Sequence, residues 1–210
     1  MTTPSEPKWR RLEPDQRRGQ ILTCAARLFG ERPYSAVSTS DIAAAAGVAR
    51  GLINHYFGTK RELYLAVIRR AVTMPALDPV ALSAGPLADR AQVAVRWFLD
   101  IVAKQGKMWL VATAEGIGRD AEVEQILIDA ERLSADRVLD AIDVPADHPS
   151  RAELNALVRV YAGMVKAAGR EWLLREELTR EQVQTLLQKL FVTLVKDVFP
   201  AVLDDAKLST

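Results

Sequence analysis

Apolar positions recur at helical spacing along almost the whole chain. Ile21, Leu22, Ala25, Leu28 and Phe29 predict a first helix from about Asp15, which Pro33 ends at or before Arg32. Ser38 is placed as an N-cap with Asp41 three residues on, a variant of the capping box. It predicts a short alanine-rich helix through Ala45, broken at Gly47. A third helix runs from about Ala49 to Phe57 and stops at Gly58. Thr59 and Glu62 then form a regular capping box for a fourth, which continues through Leu63, Ala66, Val67 and Arg70. Pro75, Pro79, Gly85 and Pro86 make 73–89 a linker. Helical patterns resume over Leu87–Lys104 and Met108–Ala114, and Gly116 and Gly118 interrupt them. Asp120 caps a long helix to about Ile142. After a loop bracketed by Pro145 and Pro149, two strong helices follow, Ser150–Arg175 and Thr179–Phe199. Nothing alternates with period two for long enough to make a strand, so the fold class is all-α.

Composition adds limits. Of 210 residues, 49% are apolar and 26% charged, enough for a substantial core in an ordinary globular chain. The best candidate for a membrane span, Leu190 to Leu203, is interrupted by Lys196 and Asp197. Met1 to Arg18 is polar and lacks the apolar stretch of a signal peptide, so the expected compartment is the cytoplasm and no membrane partner is expected. A single cysteine, Cys24, excludes a disulfide framework and a Cys-based zinc site. Its place beside Ala25 and Leu28 predicts a buried spectator, with a redox sensor as the alternative. The two histidines, His55 and His148, are far apart in sequence, and no metal site is expected. Neither a nucleophilic triad, a glycine-rich phosphate loop nor a paired-carboxylate motif stands out, so no enzyme activity and no cofactor are expected.

Charge changes the picture more. Residues 1–70 hold 12 Lys and Arg against 6 Asp and Glu, whereas the remainder holds 16 against 21. A basic head on an acidic body suggests that the head meets a polyanion. The first residues, with Lys8, Arg10 and Arg11 around Trp9, form a basic arm over 1–14 that is either disordered or reaches a minor groove.

Ile42-Ala43-x-x-Ala46-Gly47-Val48 followed by Ile53 and Tyr56 has the spacing of a helix-turn-helix. Ala43 must be small where the second helix crosses, Gly47 supplies a positive φ for the turn, and Ile42, Val48 and Ile53 lock the pair together. The second helix then projects Ala49, Arg50, Gly51, Asn54, His55 and Tyr56 toward a major groove. Asn54 suits a bidentate contact to adenine and Arg50 one to guanine or phosphate. Gly51 permits close backbone approach and Tyr56 offers a hydroxyl. Thr39, Ser40 and Lys60, at helix N-termini, are phosphate anchors.

These residues carry a resemblance. The series Arg17, Ile21, Leu22, Ala25, Leu28 and Phe29, then Ser38, Asp41, Ile42, Ala43, Ala46, Gly47 and Val48, then Gly51, Tyr56, Phe57, Lys60 and Leu63, resembles the N-terminal domain of TetR/AcrR regulators. Asn54 stands where many members carry tyrosine, and Pro33 where glycine is usual. The resemblance implies a DNA-binding head over 15–62 and a helical ligand-binding and dimerisation body over 63–210. It also implies a homodimeric repressor released from a palindromic double-stranded operator by a small-molecule effector. An activator, a protein-responsive regulator, or a helical binding protein with vestigial DNA function are the alternatives. In the last helix the wide apolar stripe, with Leu186, Leu187, Leu190, Phe191 and Leu194, exceeds what one chain's core needs and would form the dimer interface. The preceding helix adds Leu154, Leu157, Val158, Tyr161, Val165 and Trp172. Candidates for an effector pocket are Trp97, Phe98, Met108, Trp109, Thr113, Glu115, Tyr161, Met164 and Trp172, although aromatic residues at helical spacing also serve as plain core.

Overall fold

The computed structural model describes residues 13–75, 85–105, 107–113 and 120–208. Among these residues every regular element is helical. The chain forms two compact units, Met1–Val67 and Ile68–Thr210, and the division falls inside the fourth helix. The basic arm, apart from Glu13 and Pro14, and the break at Gly116 and Gly118 lie outside the described residues.

The first unit, the head, contains α1 (Pro14–Glu31), a single 3-10 turn (Tyr34–Ala36), α2 (Thr39–Ala46), α3 (Arg50–Phe57) and the start of α4 (Lys60–Val72). Its core is Ile21, Ala25, Phe29, Ile42, Ile53 and Leu63, all essentially excluded from solvent. Local chemistry sets each boundary. Pro14 opens α1 in the first turn, where its missing N–H costs nothing. Ser38 Oγ accepts from the Asp41 N–H at 3.0 Å while the Asp41 carboxylate accepts from the Ser38 N–H at 2.8 Å. Thr59 and Glu62 repeat the arrangement for α4, at 3.1 and 2.7 Å.

These bonds hold both carboxyls below the usual range. For Asp41 the Ser38 backbone N–H contributes most, then the Ser38 hydroxyl; for Glu62 the Thr59 hydroxyl leads, then its N–H. A depressed folded pKa gives stability that is present above the unfolded value, about 4, and is lost as pH falls through the folded value. The head is therefore expected to weaken on acidification below about pH 4. Asp41→Asn with Glu62→Gln should flatten that dependence, as measured by urea midpoints across acid pH.

The second unit, the body, comprises the end of α4 with α5 (Leu87–Gln105), α6 (Lys107–Thr113), α7 (Ala121–Ala141), α8 (Arg151–Leu173), α9 (Arg180–Thr193), a π-helical turn (Leu194–Val198) and α10 (Phe199–Leu208). Helix α5 packs on α9, α7 on α8, and α8 on α9, around a core that includes Leu99, Leu139, Val158, Val183 and Leu187. Asp120 caps α7 by accepting from the Glu122 N–H at 3.1 Å. At the other end Asp143 takes a left-handed conformation, with φ 64°. The Asp143 N–H donates to Asp140 and the Val144 N–H to Leu139, the Schellman pattern.

The last helix departs from the sequence expectation. The apolar pattern predicts an end at about Phe199, yet the helix continues to Leu208. The intervening π turn supplies the reason, with the Phe199 N–H reaching back to the Leu194 carbonyl. Each π residue advances the helix less than an α residue does. Extended α-helically from Val183, Phe199 would face nearly away from the core; after the π turn it is buried in it.

Candidate nucleic-acid interface and ligand cavity

In the head, Gly47 adopts φ +62° and ends α2. The Val48 N–H donates to Ala43 at 3.0 Å and the Gly47 N–H to Ala44 at 3.2 Å, again the Schellman pattern. Side chains of α1 take two further carbonyls of this turn: Gln20 Nε2 donates to Ala46 at 3.1 Å and Cys24 Sγ to Ala45 at 3.4 Å. Cys24 is thus half-buried and hydrogen-bonded, not the buried spectator expected. Ile42 and Ile53 are wholly buried, Ala43 is 5% exposed where the helices cross, and Val48 is half-buried.

Burying Ile53 and Phe57 orients α3. Arg50, Gly51, Asn54 and His55 share the exposed face, Ala49 is its exposed N-cap, and Tyr56 is half-buried with its ring edge-on to His55 at 5.2 Å. Ser40 is exposed and Thr39 half-buried in the first turn of α2. The Lys60 ammonium lies 4.2 Å from the centre of the Tyr34 ring, and Tyr34 is itself stacked on Phe29. Arg18 covers Phe57 at 4.9 Å. Tyr34 and Arg18, which hold the ends of α4 and α3 by cation–π contact, were not singled out in the sequence; an aromatic just past the Pro33 break was the available signal.

The body holds a cavity of about 650 Å³, within the range of about 300–1,000 Å³ typical of small-molecule sites. Of the expected residues, Trp97, Phe98, Trp109 and Tyr161 line it. Met108 is buried without reaching it, Met164 is exposed on the outside of α8, and Trp172 packs beside Trp109 and Leu110 instead. Glu115 and the side chain of Thr113 lie outside the described residues. The wall also contains Ser134, Arg137 and Val138 of α7 and Phe191 of α9, none of them anticipated for this purpose. The Tyr161 hydroxyl donates to the Leu187 carbonyl at 2.9 Å across α8 and α9, and burial pushes its pKa up.

Trp109 is held edge-on to Phe98 with ring centres 5.8 Å apart, and Gly169 of α8 is what admits it. A Cβ at Gly169 would meet Trp109 Cζ3 at 2.8 Å. The ring is rigid and buried, so the contact cannot be relieved by a flexible chain end. Gly169→Ala is expected to lose about 1–3 kcal/mol to overpacking against about 0.5–1 kcal/mol gained in helix propensity. The net effect is a lower urea midpoint; a raised midpoint would show that Trp109 is not wedged there.

Two of the five residues expected at a dimer interface face inward. Leu187 is 1% and Leu194 7% exposed, both packed within their own chain. Leu154, Val158 and Tyr161 of α8 are likewise core, because they lie on the side of α8 that meets α7 and α9. Leu190 and Phe191 are half-buried and Leu186 is 42% exposed. The apolar face that α8 leaves open is a different one, centred on Val160 at 65% exposure with Ala156, Gly163, Met164 and Ala167 around it.

A small helical head with an exposed second helix beyond a left-handed glycine turn defines a helix-turn-helix DNA-binding protein. The family of bacterial regulatory proteins, tetR family, matches residues 21–67, and the tetracyclin repressor-like C-terminal domain matches residues 87–194. The chain belongs to the TetR family of transcriptional regulators. The HTH-type transcriptional regulator BetI of Rhizobium meliloti is 30% identical over 147 residues, 67% of this chain and 71% of that one. The HTH-type transcriptional activator FasR of Mycolicibacterium smegmatis is 45% identical over 62 residues, which are 30% of this chain and only 28% of FasR. A crystal structure of a tetR-family regulator from Streptomyces coelicolor superposes with a TM-score of 0.67 at 25% identity, covering 94% of this chain and 90% of that one. No described helix is long and apolar enough to cross a membrane.

Proposed function

We propose that this regulator is a homodimeric repressor that binds a palindromic operator through α3 and is released by a small molecule entering the cavity of the body. The observation that carries the reading is the cavity itself, since a packed helical bundle whose only task was to join two heads would have no reason to leave about 650 Å³ unfilled between its helices. Helix α4 offers a route for coupling, because it begins at Lys60 in the head and carries Val72 at the cavity wall. A ligand acts only through its differential affinity for DNA-competent and incompetent conformers. Dimerisation through the open face of α8 with Leu186 of α9 is supported by its exposed Val160 and Met164 and by the small residues around them, which allow close helix approach. Asn54 and Arg50 are the base-reading candidates, and Thr39, Ser40, Tyr56 and Lys60 the phosphate contacts.

The test is DNA binding by the purified chain across salt, comparing fragments from its own upstream region with random duplex. Tight, salt-steep binding to one fragment is expected, with weak competition from random DNA. Equal binding to every fragment would overturn the operator reading. The name of FasR favours an activator as a second reading, and transcription in vitro from the bound fragment decides the sign.

A further inference from the structure

The charged groups of the cavity wall do not balance, and the imbalance indicates what the cavity holds. Each carboxylate in the wall has a cationic partner: Glu131 pairs with Lys166, Asp143 with Arg90 at 2.9 Å, and Asp140 with Arg151 at 2.7 Å. Arg90 is further committed to structure, since it also donates to the Ala141 carbonyl and so fastens the end of α7. Arg137 differs. It is half-buried in the wall, no carboxylate lies within ion-pair distance of it among the described residues, and its hydrogen bond goes to a backbone carbonyl, Met74 O, at 2.5 Å. Met74 belongs to the same wall. A guanidinium has five donors, and a half-buried one facing mainly apolar surface without a counter-ion is poorly compensated. Ser134, one turn earlier on α7 and also in the wall, adds a hydroxyl beside it. The rest of the surface is aromatic and aliphatic, with Trp97, Phe98 and Val165.

We infer that the ligand of this cavity is an amphipathic monoanion, a carboxylate on an extended apolar body, with its headgroup on Arg137 and Ser134 and its body among the aromatic residues. The inference rests on the reading of the cavity as an effector site and specifies its chemistry. The geometry disfavours a cation, which would face the Arg137 guanidinium, and a polar ligand such as a sugar, which would leave its hydroxyls against apolar wall.

Tryptophan fluorescence of the purified full chain reports binding, with dodecanoate, 1-dodecanol and dodecylammonium as probes of equal body and different head. Dodecanoate is expected to bind about ten- to a hundredfold more tightly than dodecanol, the range of a charge-assisted hydrogen bond. Arg137→Met should bring the two to near equality by weakening dodecanoate alone. Unchanged dodecanol affinity in that variant shows that the cavity is intact, and Arg137→Lys should restore part of the preference. Equal affinity for dodecanoate and dodecanol in the native chain, tighter binding of dodecylammonium, a carboxylate preference that survives Arg137→Met, or no binding of any probe would each overturn the inference. Operator release is measured separately. Arg137-dependent binding of dodecanoate that leaves DNA affinity unchanged would uphold the ligand class and reject the effector reading. Release by some other molecule, with dodecanoate not bound, would do the reverse.

Discussion

Gly58→Val is expected to cost the head about 2–4 kcal/mol and with it most of the DNA affinity. Gly58 ends α3 at φ 72° and ψ −88°, a backbone region that a β-branched residue does not occupy without strain. A Cβ there would also meet Glu62 Oε2 at 2.3 Å. That carboxylate is a flexible end and can swing away, but in doing so it abandons the Thr59 N–H and opens the capping box of α4. Strain and lost cap therefore add. In the full chain, loss of helical circular dichroism at lower urea, together with at least tenfold weaker operator binding, is the expected result. A variant that unfolds at the native midpoint would refute the left-handed stop at this position.

The second large effect separates the groups that read DNA from those that only hold it. Asn54→Ala should cost about 1–3 kcal/mol against the native operator and relax the preference at one base position, because Asn54 stands exposed on α3 and its side-chain amide offers both a donor and an acceptor. Lys60→Gln should instead weaken all duplexes alike and reduce the salt slope by about one. Its ammonium is oriented by Tyr34, so Tyr34→Ala should reproduce part of that loss without touching DNA. Gly51→Ala provides an opposite-signed control. A Cβ at Gly51 meets nothing within 4 Å in the free chain, so the helix gains about 0.5–1 kcal/mol in stability. Operator affinity should nevertheless fall if backbone approaches the duplex there. Anisotropy titrations of an operator and of single-base variants, at several salt concentrations, separate these outcomes. A uniform loss for Asn54→Ala would remove it from base readout.

The head was legible because its signals are local. Ser38 with Asp41, Thr59 with Glu62, and Gly47 with Val48 each declare a helix end within four residues, and the structure reproduces each bond pattern. The body was legible as helices but not as faces. A wide apolar stripe on α9 does not say which neighbour covers it, so the sequence offers Leu187 and Leu194 to a partner although their own chain buries them. The face that does lie open on α8 has Ala156, Gly163 and Ala167 among its members, residues too small to stand out by hydrophobicity. Pro200 reads locally as a stop, and only the phase shift of the π turn reconciles it with a continuing helix. Arg137 and Ser134 left a trace in the sequence, two polar residues on the side of α7 that carries Leu127, Ala130, Val138 and Ala141, but recognising a wall requires knowing what stands opposite.

Cys24 turns the head into something that can be ranged. It is the chain's single thiol, it lies on the helix that buttresses the recognition pair, and its weak bond to Ala45 is a small loss on modification. In the proposed dimer, one nitroxide per chain would give one pair. Pulsed dipolar spectroscopy on that pair would return the separation of the two heads as a length distribution, so that operator and effector are compared by how far each draws the heads together or apart.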